Sequence, residues 1–127
     1  MRFWIPVFSI AISLAATTTP VCAATTHIIN VGPGGGMTFA PATLTIPPGD
    51  TITFQSAGGL PHNAVSDDGT TFSSGTPNSS AWTYVTPALS AGTYGFHCTV
   101  HGNVGSGMFG TITVQLTPVT LQSFNVD

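Results

Sequence analysis

Positive charge is almost missing from this sequence. Arg2 is the only Lys or Arg, and four Asp bring the charged fraction to 4%. A protein without basic side chains cannot neutralise phosphates, which excludes nucleic-acid binding, and it offers no basic patch to a membrane surface. The low charge does not indicate disorder, because 42% of the residues are hydrophobic and can bury a core.

A hydrophobic run long enough to span a membrane is also missing. The apolar run at the N-terminus covers residues 3–16, fewer than the ~20 residues that a spanning helix needs. Arg2 precedes this run and small residues follow it at 21–24, which is the pattern of a secretory signal. We therefore predict a signal peptide over residues 1–23 and a single exported domain over residues 24–127, in the periplasm or outside the cell, with no membrane span after cleavage.

Cysteine is the third scarce residue, with two in the chain. Signal cleavage would remove Cys22 and leave Cys98 as the only thiol in an oxidising compartment, where cysteines normally pair. An unpaired thiol there is either a small buried hydrophobic side chain or a thiolate protected by a metal. The neighbours of Cys98 favour the metal.

The mature chain consists of short runs rich in β-branched and aromatic residues, separated by Gly, Pro, Asn and Asp. This pattern is typical of an all-β sandwich, and no segment has a sustained helical period. The predicted strands cover residues 26–31, 42–46, 51–55, 62–66, 81–86, 93–98 and 109–115. Residues 47–50, Pro-Pro-Gly-Asp, are predicted to form a turn between two antiparallel strands, and the glycine-rich residues 32–36 are predicted to form a loop at one end of the sandwich.

Three possible metal donors lie close together near the C-terminus. Phe96-His97-Cys98-Thr99-Val100-His101 is followed within a few residues by Met108. Copper that alternates between Cu(II) and Cu(I) is suited by imidazole and thiolate ligands in a trigonal set with a weak axial thioether. One more imidazole must then come from another part of the chain.

His62 is the best candidate for that imidazole. It follows Pro61 after a glycine-rich segment, so a loop can present it to the Cys98 turn. His27 lies among apolar residues of the first strand and is expected to be an ordinary, partly exposed histidine. His97 is next to Cys98, so strand alternation directs it to the opposite face.

These segments resemble the plastocyanin-like cupredoxins, which are type 1 blue copper proteins. The resemblance rests on Pro61-His62-Asn63, on residues 94–101 (Tyr-Gly-Phe-His-Cys-Thr-Val-His), on residues 108–114 (Met-Phe-Gly-Thr-Ile-Thr-Val) and on residues 39–54. It covers nearly the whole mature chain. It implies a Greek-key β-sandwich of the cupredoxin type.

The resemblance also implies the metal site. His62, Cys98 and His101 match the three strong copper ligands of the family, and Met108 matches the axial ligand. Asn63 matches a residue whose hydrogen bonds tie the two ligand loops together. Six residues separate His101 from Met108 where the plastocyanin pattern has four, so the loop carries an insertion, and Met37 stays open as an alternative axial ligand.

The function implied is that of an electron carrier that cycles one type 1 copper and meets its redox partner proteins transiently as a monomer. A site filled by two His, one Cys and a Met leaves no open position for a substrate, so the protein is predicted not to be an enzyme. A copper-binding or copper-delivery protein of the same fold is the main alternative. An enzyme related to copper nitrite reductases or multicopper oxidases is a weaker one, prompted by His97 beside Cys98.

Overall fold

The computed structural model describes residues 11–16 and 23–117. Within these residues the ordered elements are strands and one short 3-10 turn at Pro33–Gly35, and no helix there has the length and hydrophobicity to cross a membrane. The strands are β1 (Thr26–Val31), β2 (Phe39–Ala40), β3 (Thr43–Ile46), β4 (Thr51–Ser56), β5 (Val65–Ser66), β6 (Trp82–Val85), β7 (Gly92–Asn103) and β8 (Ser106–Val114).

The strands form two four-stranded sheets, with the orders β2-β1-β4-β6 and β3-β8-β7-β5. β1 pairs with β4, and β3 with β8, in parallel, while the other pairs are antiparallel. The predicted all-β sandwich is confirmed. Both sheets are mixed, because the chain crosses repeatedly from one sheet to the other.

The core lies between the two sheets and follows from the two-residue period of the strands. Ile52 and Phe54 of β4 are buried, while Thr51 and Thr53, which alternate with them, are partly exposed. Phe54 meets Phe96 of the opposite sheet edge to face, with ring centroids 5.2 Å apart. Burial of each such ring contributes about 1.5–3 kcal/mol, so these contacts are a main source of the energy that holds the layers together.

Strand boundaries differ from the predictions mainly near the sites where loops meet. The predicted strand 62–66 is reduced to Val65–Ser66, because His62 makes an isolated bridge to Asn78 instead of continuing the ladder. The predicted strands 93–98 and 109–115 extend toward each other and become Gly92–Asn103 and Ser106–Val114. The short β2 was not predicted.

The prediction for residues 47–50 is wrong in one respect. The segment turns, with Gly49 at a positive φ of 91°, but β3 and β4 on either side of it belong to different sheets. Gly49 N–H donates to the carbonyl of Leu89, which ties the turn to a neighbouring loop. The turn therefore carries the chain from one layer to the other rather than closing a hairpin.

The predicted signal peptide over residues 1–23 falls largely on residues that the structure does not describe. Only residues 11–16 and 23 of it lie within the described ranges. The domain boundary at residue 24 stays a prediction. The ordered strands begin at Thr26.

Candidate metal centre

The Cys-x-x-His segment forms an interruption in the β7–β8 ladder. His97 pairs with Phe109, and the next pair is Gly102 with Gly107, so residues 98–101 of β7 lie opposite Met108 alone. A strand with extra residues must bulge out of the ladder. The bulge brings Cys98 and His101 together at one end of the sandwich. In a regular strand, side chains three residues apart would point to opposite faces of the sheet.

His62 reaches this end from the segment just before β5, the strand that pairs with β7. Its backbone N–H donates to the carbonyl of Asn78, and its carbonyl accepts from the N–H of Asn78. The two bonds fix the backbone of His62 directly after Pro61. The side chain is 2% exposed, so the imidazole points into the protein.

The three predicted donors converge. His62 Nδ1 and His101 Nδ1 each lie 3.8 Å from the sulfur of Cys98 and 3.2 Å from each other. The three atoms form the group of potential metal ligands found among the described residues, all within 4.8 Å of one another. Cys98 is fully buried and is not in a disulfide.

Burial also affects the protonation of His62. Loss of solvent lowers the pKa of the imidazole, the nearby His101 lowers it further, and the carbonyl of Gly36 opposes both with a smaller effect. That carbonyl does not make a well-formed bond, since Nε2 of His62 is buried without a hydrogen-bond partner. A lowered pKa keeps the ring neutral, which is the form that binds a metal.

Asn63 links the two ligand-bearing segments. Its Oδ1 accepts from the backbone N–H of Thr99 at 2.9 Å and from the Thr99 hydroxyl at 3.2 Å. Its Nδ2 donates to the carbonyl of Gly75 at 2.9 Å. The residue after His62 is therefore bonded to the residue after Cys98, as the resemblance implies.

Met108 lies directly across the ladder from the bulge that carries Cys98 and His101. It is 1% exposed, whereas Met37 is 55% exposed. The backbone of Met108 also lies against Gly102, where an added Cβ would come within 2.4 Å of the Met108 carbonyl oxygen. Met108 is thus buried beside the bulge that carries Cys98 and His101, whereas Met37 is exposed.

The two extra residues between His101 and Met108 lengthen a hairpin. Gly102 pairs with Gly107 and Asn103 with Ser106, and the turn between them contains Gly105 at a φ of 69°. The insertion therefore projects along the ladder and leaves the strand from Phe109 onward in register. A glycine-rich loop in sequence becomes an ordered β-hairpin.

The other two histidines pair with carboxylates away from this cluster. His27 Nε2 donates to Asp50 Oδ2 at 2.8 Å. His97 Nδ1 donates to Asp67 Oδ1 at 2.6 Å, on the face of β7 opposite to Cys98. The predicted exclusion of both from the cluster is confirmed, but their carboxylate partners were not predicted, because the pairs are 23 and 30 residues apart in sequence.

The donor set fits copper. A thiolate and two neutral imidazoles suit both oxidation states of copper, and the buried Cys98 sulfur lies 3.8 Å from a nitrogen of each imidazole. Sequence reasoning missed one neighbour of the set. The backbone of Gly32 packs against the ring of His62, and a glycine carries no chemical signal that would have identified it.

Comparison with known proteins agrees with this chemistry. The family model described as copper binding proteins of the plastocyanin/azurin family matches residues 26–115. Plastocyanin of Scenedesmus fuscus is 37% identical over 90 residues, covering 64% of this chain and 90% of the relative. Chloroplastic plastocyanin of Oryza sativa subsp. indica is 33% identical over 116 residues, covering 83% of this chain and 73% of the relative.

Solved structures show the same fold. A reduced amicyanin mutant superposes with a TM-score of 0.56 at 22% identity, covering 76% of this chain and 87% of that one. The two sheets, the convergent donors and the matched family model lead to one conclusion. This chain belongs to the plastocyanin/azurin family of copper-binding proteins.

Proposed function

We propose that this protein carries single electrons on one type 1 copper ion held by His62, Cys98 and His101, with Met108 as a weak fourth donor. The convergence of the Cys98 sulfur with two imidazole nitrogens is the observation that carries the proposal. Membership of the plastocyanin/azurin family of copper-binding proteins agrees with this donor set. Similar amicyanin structures include oxidised and Cu(I) forms.

Copper bound there would supply a one-electron step between Cu(II) and Cu(I). The protein's part is to hold the donors in nearly one arrangement for both oxidation states. The bulge opposite Met108, the paired backbone of His62 and the hydrogen bonds of Asn63 all restrict movement of the donors. A donor set that moves little costs little reorganisation when the charge changes.

His101 is the proposed exit for the electron. His62 and Cys98 are buried, whereas His101 is partly exposed at the end of the sandwich. Val100 beside it is 52% exposed, and Val104 at the tip of the hairpin is 64% exposed. A partner would therefore meet an apolar, nearly uncharged surface around His101, which suits a brief contact by a monomer.

Export is part of the proposal. The N-terminal pattern at residues 1–23 supports secretion to the periplasm or the cell exterior. A lone thiol in an oxidising compartment is protected from oxidation when it binds a metal. Cleavage would leave a single domain over residues 24–127.

A copper-delivery protein of the same fold is the second candidate, and the partial exposure of His101 is the observation that keeps it open, since a receiving protein could reach that ligand. Voltammetry of the copper-loaded protein in the presence of a copper chelator separates the two. We expect reversible one-electron cycling with copper retained in both oxidation states. Loss of copper to the chelator on each reduction would contradict the electron-carrier proposal and favour delivery.

A further inference from the structure

The ring of His62 has a glycine backbone against its outer edge. A Cβ placed on Gly32 would lie 2.5 Å from His62 Nε2 and 2.7 Å from its Cδ2, closer than the 3.0 Å that real Cβ atoms keep. The same Cβ would lie 3.0 Å from the carbonyl oxygen of Gly36. No side chain larger than hydrogen fits at position 32 while the imidazole stays where it is.

A positive φ alone would also select glycine at this position. Gly32 has a φ of 61°, which side-chain-bearing residues rarely adopt. Gly34 has nearly the same φ, 64°, but a Cβ there meets nothing within 4 Å. Substitutions at these two positions share the backbone strain, and the one at Gly32 adds contact with the ring.

The segment that carries Gly32 is held in place by backbone hydrogen bonds. Gly32 N–H donates to the Thr38 carbonyl at 2.9 Å, and its own carbonyl accepts from Gly35 N–H at 3.1 Å. Val31 just before it is 2% exposed and lies in the ladder between β2 and β4. The loop cannot retreat from the ring without breaking these contacts.

His62 thus lies between two fixed surfaces. The Nδ1 edge faces Cys98 and His101, and the Nε2 edge faces Gly32 and is shielded from solvent without a hydrogen-bond partner. Ligand positions in metal sites must be held within about 0.5 Å for productive geometry. Packing is what fixes this ring on its outer side, since no hydrogen bond does so.

We propose that Gly32 is a positioning residue for the copper site: its bare backbone presses on the Nε2 edge of His62 and sets the depth of Nδ1 among the donors. The role of the His62 ring as a copper ligand rests on the proposed function. The contact between Gly32 and that ring does not. It predicts that a methyl group at position 32 displaces the imidazole, whereas a methyl group at position 34 does not.

The first experiment compares Gly32→Ala with Gly34→Ala in the copper-loaded protein. Both variants carry the cost of alanine at a positive φ, so a difference between them reports what the methyl group meets at position 32, which is the ring of His62 and, less closely, the carbonyl oxygen of Gly36. Supporting shells of metal ligands affect affinity about 10- to 100-fold. We expect Gly32→Ala to lower copper affinity at least about tenfold and to change the visible and EPR spectra, with Gly34→Ala unchanged in both. Equal affinities and spectra in the two variants would overturn the proposal.

The second experiment uses the copper-free protein and a double-mutant cycle. Gly32→Ala should lower the urea midpoint more than Gly34→Ala when His62 is present. In a His62→Ala background, which removes the ring, the difference between the two alanines should shrink to the smaller cost of the 3.0 Å approach to the Gly36 carbonyl oxygen. If Gly32→Ala fails to fold alone, recovery of folding by His62→Ala supports the contact, and failure to recover while Gly34→Ala folds contradicts it.

The two experiments also separate the proposal from the proposed function. A wild-type protein that binds no copper would remove the electron-carrier function, yet the copper-free cycle would still decide whether Gly32 positions His62. A blue, redox-active wild type with no coupling between positions 32 and 62 would leave the function standing and reject the positioning role.

Discussion

Asn63→Ala should weaken the protein by breaking the link between the two ligand-bearing segments. The substitution removes three hydrogen bonds, two to Thr99 and one to the carbonyl of Gly75, from a side chain that is 2% exposed. A buried polar group left without its partner costs about 1–3 kcal/mol. Thr99 and Gly75 lie near the surface, where water can replace part of the loss, so we expect the lower end of that range for each segment.

The sum is about 2 kcal/mol, which lowers the melting temperature of a domain of this size by about 10 °C. Thermal and urea unfolding of the copper-free protein measure it. Asn78→Ala is the matched control, because its side chain accepts one exposed bond from Ser80 N–H. A loss for Asn63→Ala within 0.5 kcal/mol of the control would show that Asn63 does not tie the segments together.

Three further predictions concern the copper and its surroundings. If Met108 is the weak fourth donor, Met108→Leu should raise the reduction potential and Met108→Gln should lower it, measured by voltammetry; shifts of the same sign would count against it. Copper-free protein should lose stability below about pH 6.5, because the pKa of His62 is lower in the folded protein than in the unfolded chain, which therefore binds the proton first. A second loss should occur below about pH 4. The second loss arises since hydrogen bonds, chiefly from Thr25 N–H to Asp50 and from the Thr71 hydroxyl to Asp68, hold both carboxyl pKa values low. Urea unfolding from pH 7 to pH 3 tests this, and His62→Gln should abolish the first loss alone. Electron-transfer rates with a partner should depend weakly on salt, because no Lys or Arg occurs after Arg2; a steep decrease would contradict an apolar docking surface.

Local patterns in the sequence predict the strands well where alternation is regular. β4, Thr51–Ser56, is predicted to within one residue, because polar and apolar residues alternate from Thr51 to Gln55. β2 is too short to produce a pattern, with two residues before Pro41. The parallel pairing of β1 with β4 could not be predicted, since alternation does not specify which strand lies beside which.

The donors were predictable for a different reason. Cys98 and His101 are close in sequence, and the chemistry of copper restricts which other residues can complete the set. The contact between Gly32 and His62 spans 30 positions and involves no functional group on the glycine. The ordered hairpin beyond His101 was also hidden, because Gly102, Gly105 and Gly107 favour a flexible loop in sequence but meet the positive φ and close approach that the hairpin requires.

The proposed function depends on the binding of copper by Cys98 as a thiolate between two histidines. The most direct measurement is the visible and EPR spectrum of the purified copper-loaded protein beside Cys98→Ser. A serine oxygen cannot form the covalent copper–thiolate bond of a blue site. We expect an intense blue colour with the EPR signal of a type 1 site in the wild-type protein and loss of both in Cys98→Ser. A colourless wild-type copper complex, or a variant that keeps the blue colour, would contradict this mode of binding.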